Sequence, residues 1–154
     1  MTLIECVPNF SEGRRPEVVD QIVAAIAAVD GVHVLDRQSD ATHNRCVITF
    51  VGPDEAAAAA AFGGIAAAAR LIDLTRHEGA HPRFGAADVV PFVPVKEGDM
   101  PVCVELARGL AARVGAELDL PAYLYEDAAR RPEHRNLADV RRGARPPRTP
   151  CAWT

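Results

Sequence analysis

The chain has 154 residues, 49% of them hydrophobic, which is enough for one compact domain with its own core. Its formal net charge is −4, and acidic and basic residues are interspersed, so no nucleic-acid partner is expected. No apolar run reaches the roughly 18 residues of a membrane span, and the start MTLIECVPNF has no basic leader region, so we expect a cytoplasmic protein without a membrane partner.

The first half of the chain alternates strand and helix patterns. An apolar run at 3–10 predicts a first strand, and Pro16 opens a helix over 17–29 with apolar residues at helical spacing. Two β-rich runs follow at 32–40 and 44–52, separated by a polar turn. The pattern predicts a hairpin after the first helix.

The second half continues with a long alanine-rich helix over about 54–75, which the glycine pair Gly63-Gly64 can bend. The run at 89–95 contains two prolines and predicts an edge or irregular strand. An amphipathic helix over 98–118 and a further strand over 120–126 complete the expected elements.

The order β-α-β-β-α-β-α-β contains the split βαβ pattern. It predicts an α+β fold of the ferredoxin-like βαββαβ type, a sandwich in which helices cover one face of the sheet. The other sheet face then needs a partner. We expect one domain over 1–143 and a disordered tail over 144–154, since the sequence ARPPRTPCAWT has no apolar period.

The four cysteines, Cys6, Cys46, Cys103 and Cys151, are widely separated in the sequence. They form no C-x-x-C pair, and the first three lie in apolar or strand-like runs. We therefore expect reduced thiols that act as small hydrophobic side chains.

The segment His77-Glu78-Gly79-Ala80-His81 spells H-E-x-x-H, the motif of a zinc metalloprotease. That site needs a continuous helix, because the two histidines must lie one turn apart on the same face. Gly79 disfavours a helix interior, and Pro82 biases the preceding residue away from helical dihedrals. The sequence also offers no clear third ligand, so we predict no metal site.

The same loop is dense in groups capable of proton transfer and anion binding: Arg76, His77, Glu78, His81, Arg83 and Asp88. A histidine near neutral pKa can pass a proton in either direction, and arginines can hold carboxylates bidentately. The loop therefore suits an acidic, amine-bearing substrate. An alternative left open by the residues alone is structural, with 81–83 capping a helix and pairing with Asp88.

Four stretches of the sequence resemble a known protein family. The stretches IECVPNFSEGR (4–14), HNRCVITFVGP (43–53), LIDLTRHEGAHPRFGAADVVPFVPV (71–95) and PAYLYEDAAR (121–130) closely resemble the N-terminal subdomain of formiminotransferase, also called glutamate formimidoyltransferase. The resemblance runs from about residue 3 to 143. Because the blocks occur in the family's order and spacing, the match is far more specific than any single motif.

The resemblance implies transfer of the formimino group from N-formimino-L-glutamate to tetrahydrofolate, a co-substrate, in histidine degradation. The family's general base is the histidine before proline in its H-x-G-x-H-P-R loop, which is His81 here. The family commonly has another residue at Glu78, so the resemblance makes the H-E-x-x-H spelling accidental. His77 is expected to orient the loop.

Further residues are candidates for holding substrate carboxylates or folate edges. Members of the family often carry an acidic residue where Gln38 stands, between Asp36 and Asp40. The candidates for substrate or folate binding are Asn9, Ser11, Arg14, Asp40, Asn44, Arg45, Arg83 and Asp88.

The family continues after this subdomain into a folate-contacting stretch and a second subdomain, with folate in a tunnel between the two. This sequence departs from that pattern after Gly143. We therefore expect an exposed, partly apolar sheet face and either self-association or a separately supplied second subdomain. The alternative function is a non-catalytic, truncated module that binds folate or another anion.

Overall fold

A computed structural model describes residues 1–80 and 84–143 as a layer of helices on an antiparallel sheet. The strands are β1 (Leu3–Cys6), β2 (Asn9–Phe10), β3 (His33–Asp40), β4 (Arg45–Pro53), β5 (Ala87–Val89) and β6 (Phe92–Pro94). The helices are α1 (Pro16–Ala27), α2 (Asp54–Leu71), α3 (Met100–Leu118) and α4 (Leu137–Gly143), with short 3-10 helices at Glu126–Ala128 and Pro132–His134. The predicted mixture of helices and an antiparallel sheet is confirmed.

Strand β4 forms the centre of the sheet. It pairs with β3 on one side in the predicted hairpin, and with β1 and β2 on the other. The predicted first strand is thus two short strands, because Val7 and Pro8 interrupt it and Pro8 has no N–H to donate. Outside β1 lies β6 and outside β2 lies β5, so the run around 89–95 is an edge strand as predicted.

The two faces of the sheet differ in burial. Along β4, Cys46, Ile48 and Phe50 are buried, and they belong to one core with apolar side chains of α1, α2 and α3. The glycine at position 64 allows α1 to approach α2 closely, since a Cβ there would lie 3.1 Å from the Ile26 side chain and 3.2 Å from Phe10. Close helix packing, rather than a bend, is the role of the glycine pair in α2, which is continuous.

The opposite face of the sheet carries no helix among the described residues. Leu3 and Val93 on this face are 45% and 37% exposed, and they are interspersed with polar side chains such as Gln38. The expectation of an exposed and partly apolar sheet face is confirmed. We call this surface the open face.

Helix α2 ends at Leu71, four residues earlier than predicted. Ile72 is extended, and the Asp73 carboxylate accepts hydrogen bonds from the Thr75 N–H (3.0 Å) and hydroxyl (2.6 Å). This local turn competes with the helix, because an aspartate side chain can substitute for a backbone acceptor. The loop that follows is therefore longer than the sequence pattern indicated.

The predicted strand over 120–126 is wrong. Asp119 ends α3 in the left-handed conformation (φ 53°), and no strand forms before the 3-10 helix at Glu126–Ala128. The sheet edge beside β1 and β2 is taken by β6 and β5 instead.

Three cysteines, Cys6, Cys46 and Cys103, are buried free thiols, as predicted. Burial raises the pKa of Cys46 to about 12 and also raises the pKa of Cys103. Cys151 and the predicted tail over 144–154 lie outside the described residues. No described helix is both long and apolar enough to span a membrane.

Candidate functional site

Three loops meet at the tip of the β3–β4 hairpin. They are residues 11–15 before α1, the hairpin turn at 41–44, and residues 72–80 after α2. The third of these leads into the segment 81–83, which contains His81 and Arg83 and lies outside the described residues. Hydrogen bonds hold the residues before and after this segment.

Asn44 connects all three loops. Its Oδ1 accepts a hydrogen bond from the Gly13 N–H (2.9 Å), and its Nδ2 donates to the Glu78 carbonyl oxygen (3.0 Å). The residue is 8% exposed and has a left-handed backbone (φ 49°), which asparagine tolerates better than most residues. A further bond from the Ala80 N–H to the Thr42 carbonyl oxygen (3.2 Å) ties the same two loops together.

His77 is buried against the same turn. Its Nε2 lies 3.0 Å from the Asn44 carbonyl oxygen, so Nε2 carries the proton and donates it. Its buried Nδ1 has no partner among the described residues. His77 thus joins the loop to the hairpin turn, and its role in orienting the loop stays a prediction.

The zinc-protease geometry is absent over residues 77–80, which are not helical. The helix that the motif requires ends at Leu71. Within residues 1–80 and 84–143, no group of three or more His, Cys, Asp or Glu side chains could hold a metal ion.

Two glycines allow the loops to approach the hairpin turn. A Cβ at Gly79 would lie 2.4 Å from the His43 carbonyl oxygen, and one at Gly13 would lie 2.4 Å from the Asp40 carbonyl oxygen. Real Cβ atoms do not come this close to backbone oxygens. Any other residue at either position would push a loop away from the turn.

The chain beyond the undescribed segment is also anchored. Ser11 is buried, its hydroxyl donates to the Gly85 carbonyl oxygen (2.6 Å), and its N–H donates to the Ala86 carbonyl oxygen (2.8 Å). Asp88, 3% exposed, accepts a hydrogen bond from Nη2 of Arg141 in α4 (2.9 Å). Helix α4 is thus joined to strand β5 by an ion pair between residues 53 positions apart in sequence.

Glu12 and Arg15 are structural residues of this site that the sequence analysis did not identify. Glu12 is 3% exposed, and its carboxylate accepts hydrogen bonds from the Arg14 and Arg15 N–H groups (2.8 and 2.9 Å) and from Arg15 Nε (2.7 Å). Burial acts to raise the pKa of Glu12, but these donors outweigh it, and the pKa lies below its ordinary value of 4.5. The sequence signal for this ion pair was the spacing of Glu12 three residues before Arg15, directly ahead of the helix start at Pro16.

Asp40 and Arg14 hold the hairpin turn from its exposed side. The Asp40 carboxylate accepts hydrogen bonds from the backbone N–H groups of Thr42 (2.8 Å) and His43 (3.0 Å) and lies 2.6 Å from the His43 ring nitrogen Nδ1. The backbone and ring of His43 lower the pKa of Asp40. Arg14 Nε donates to the Ala41 carbonyl oxygen (2.8 Å).

Asn9 and Arg45 lie on the open face instead. Asn9 pairs with Val47 in the sheet, and its side chain donates to the Val7 carbonyl oxygen (3.1 Å). Arg45 lies opposite Asp40 in the strand register and is half-buried, yet it forms no ion pair or side-chain hydrogen bond with a described residue. Its guanidinium group is therefore available to an anion on this face.

The structure thus separates the eight candidate residues for substrate or folate binding. Ser11, Asn44 and Asp88 are buried and bonded to other parts of the chain, and Asp40 and Arg14 hold the turn. Asn9 and Arg45 lie on the open face, and Arg83 is outside the described residues together with the proposed base, His81. A contact between substrate and any of these residues stays a prediction.

Comparison with known proteins identifies close relatives. Residues 3–148 match the family described as the formiminotransferase domain, N-terminal subdomain. A glutamate formimidoyltransferase of Thermoplasma acidophilum is 57% identical over 141 residues, which are 92% of this chain and 46% of that protein. The glutamate formimidoyltransferase of Streptococcus pyogenes serotype M1 is 50% identical over the same length, 92% of this chain and 47% of that protein. A formimidoyltransferase-cyclodeaminase of Sus scrofa is 46% identical, again over 92% of this chain, but over 26% of its own length.

Proposed function

The chain belongs to the formiminotransferase family through its N-terminal subdomain, as the four sequence blocks predicted, and from this premise we propose a substrate pair. The chain takes part in transfer of the formimino group from N-formimino-L-glutamate to tetrahydrofolate, in histidine degradation. The names of two relatives at 57% and 50% identity support a glutamate-linked transferase. Tetrahydrofolate serves as the co-substrate.

The chemistry requires one group that both accepts and donates a proton. The secondary amine of the pterin attacks the amidine carbon, so a base must take the amine proton. The C–N bond to glutamate then breaks, and an acid must protonate the departing nitrogen. One histidine can perform both steps in turn, and we assign this role to His81.

The observation that carries this proposal is the anchoring of the loop on both sides of the segment that holds His81. Asn44 and His77 bind the preceding residues to the hairpin turn, and Ser11 binds the residues that follow. A catalytic base is effective only when surrounding bonds hold it in position. The residues on either side of this segment are thus held, which supports a role for the loop in a single-histidine mechanism.

We assign substrate binding to the side chains that remain accessible. Arg45 on the open face and the exposed Arg14, which lies in the first of the three loops, have guanidinium groups that can hold a carboxylate bidentately. Asn9, on the same face as Arg45, can hydrogen-bond a polar edge of folate. Arg83 is a further candidate from its place in the loop.

The chain spans about half the length of the two glutamate formimidoyltransferases that it matches. We therefore propose that full activity requires a second protein part placed against the open face. This part is either the counterpart of the remaining half of these relatives or a second copy of the chain. The exposed Leu3 and Val93 support such a contact. Light scattering across protein concentrations measures self-association directly.

We also assign the fold to the ferredoxin-like βαββαβ class. Two observations support this class. The strands form one antiparallel sheet, and the elements follow one another along the chain in the order β1 and β2, α1, β3, β4, α2, β5 and β6. A cytoplasmic location is our proposal as well, and the three buried free thiols suit a reducing compartment.

The test is formimino transfer by this chain mixed with the part of the Thermoplasma acidophilum relative that it does not match. His81→Ala should lower turnover roughly 10²–10⁴-fold, the usual scale for general acid–base catalysis, with substrate affinity much less affected. His77→Ala should cost far less in turnover, and it should lower the stability of the chain because His77 is buried and hydrogen-bonded.

Single-turnover rates separate the outcomes. Equal losses in the two variants would contradict the assignment of His81, and a fully active His81→Ala protein would remove this histidine from the mechanism. Binding of tetrahydrofolate without any transfer in the reconstituted mixture would favour the non-catalytic alternative.

A further inference from the structure

A second concave site lies away from the three loops. It is a cavity of about 400 Å³ between the C-terminal half of α3 and the segment 122–134. Arg108, Arg130, Arg131, Tyr123 and His134 line it, together with small apolar side chains of α3. We call it the arginine pocket. It shares no lining residue with loops 11–15, 41–44 and 72–80.

The arginine pocket is positively charged on a chain whose net charge is −4. Three guanidinium groups line it, and no carboxylate does. Arg130 and Arg131 form no ion pair or side-chain hydrogen bond with any residue of 1–80 or 84–143. Arg108 alone is neutralised, by a bond from its Nη1 to Glu105 Oε1 (3.0 Å).

A second observation concerns access to the pocket. Arg130 and Arg131 are both exposed, so an anion from solvent can reach their guanidinium groups. An anion in the pocket would balance the charge of Arg130 and Arg131 and form charge-assisted hydrogen bonds with them.

The shape and lining limit the kind of anion. A cavity of this volume is large enough for a small organic molecule rather than a bare ion. The rings of Tyr123 and His134 lie edge to face, with centroids 6.3 Å apart, and form an aromatic part of the wall. One carboxylate needs a single guanidinium partner, whereas a phosphate group offers three oxygens and close to two negative charges.

We propose that the arginine pocket binds a phosphate monoester of a small organic molecule. The phosphate lies among Arg108, Arg130 and Arg131, and the organic part lies against Tyr123 and the alanine side chains of α3. This site goes beyond the proposed transferase function, because it lies in another part of the chain and requires neither His81 nor folate.

Calorimetric titration of the full chain tests the proposal with adenosine 5′-monophosphate, inorganic phosphate, adenosine and succinate as probes. The nucleotide should bind more tightly than inorganic phosphate, and adenosine should not bind measurably. Arg131→Gln should weaken nucleotide binding about tenfold or more, as loss of one charge-assisted bond predicts. Arg108→Gln should weaken it similarly.

Arg70→Gln is the matched control, since Arg70 is exposed at the end of α2 and the change removes the same charge. It should leave nucleotide affinity unchanged. Equal weakening by Arg70→Gln and Arg131→Gln would show only general charge attraction and overturn the proposal. No binding of the nucleotide, or succinate binding as tightly as the phosphate compounds, would overturn it too. Both outcomes are independent of formimino transfer.

Discussion

Replacing Asn44 with alanine should destabilise the chain by about 3 kcal/mol. The change removes the hydrogen bonds to the Gly13 N–H and the Glu78 carbonyl oxygen, each worth about 1 kcal/mol net. It also places an alanine at φ 49°, and a left-handed residue with an ordinary side chain costs roughly 1 kcal/mol. Asn44→Gly removes the same two bonds without that backbone cost, so it should be less destabilising than Asn44→Ala by about 1 kcal/mol.

Urea unfolding of the wild type and the two variants measures these free energies. Asn136→Ala is a control, because the Asn136 side chain accepts one local hydrogen bond, from the Ala138 N–H (2.9 Å), at an exposed helix start. It should cost about 1 kcal/mol. If Asn44→Ala costs no more than Asn136→Ala, Asn44 does not hold the three loops together. Equal stabilities of the alanine and glycine variants would refute the backbone part of the reasoning.

Further changes test other parts of the site. Gly79→Ala should destabilise the chain in urea unfolding, because its Cβ would lie 2.4 Å from a carbonyl oxygen of the hairpin turn, whereas Gly109→Ala, with open space in α3, should not. Asp88→Asn should cost roughly 3 kcal/mol, the scale for breaking a buried ion pair, and a double-mutant cycle with Arg141→Gln should recover part of that loss. Glu12 has a lowered native pKa, so its carboxylate favours the folded state above the ordinary value of 4.5. The stability advantage of the wild type over Glu12→Gln should therefore be present at pH 7 and be lost as pH falls below 4.5, and an advantage independent of pH would contradict it.

The elements with strong local signals could be predicted from the sequence. Pro16 marks the start of α1, and the β-rich run at 44–52 forms β4, whose side chains alternate between half-buried and buried. The two prolines of 89–95 also indicated an edge strand, but the strand predicted over 120–126 does not form. The runs at 89–95 and 120–126 are both short and apolar, and pairing with β1 and β2, which is non-local, decides between them.

The non-helical backbone of residues 77–80 could be predicted from the sequence, but the hydrogen bonds that hold the site could not. Gly79 and Pro82 were sufficient to reject a helical zinc motif, because their backbone preferences are local. The partners of Asn44 and Asp88 lie 31 to 53 residues away in sequence, and no periodicity reports such a bond. Sequence reasoning therefore grouped the candidates for substrate binding together with residues that hold the loops.

The hydrogen bonds now give a physical reason to divide these residues. Ser11 and Asn44 are buried and already bonded, so contact with substrate would break a bond that positions the loop. Arg45 has no such partner among the described residues, and its interaction with a carboxylate would displace only water. Changes at the first two residues should lower stability and turnover together, since the base loses its position. A change at Arg45 should instead raise KM while stability stays near that of the wild type, because binding in the ground and transition states is lost equally.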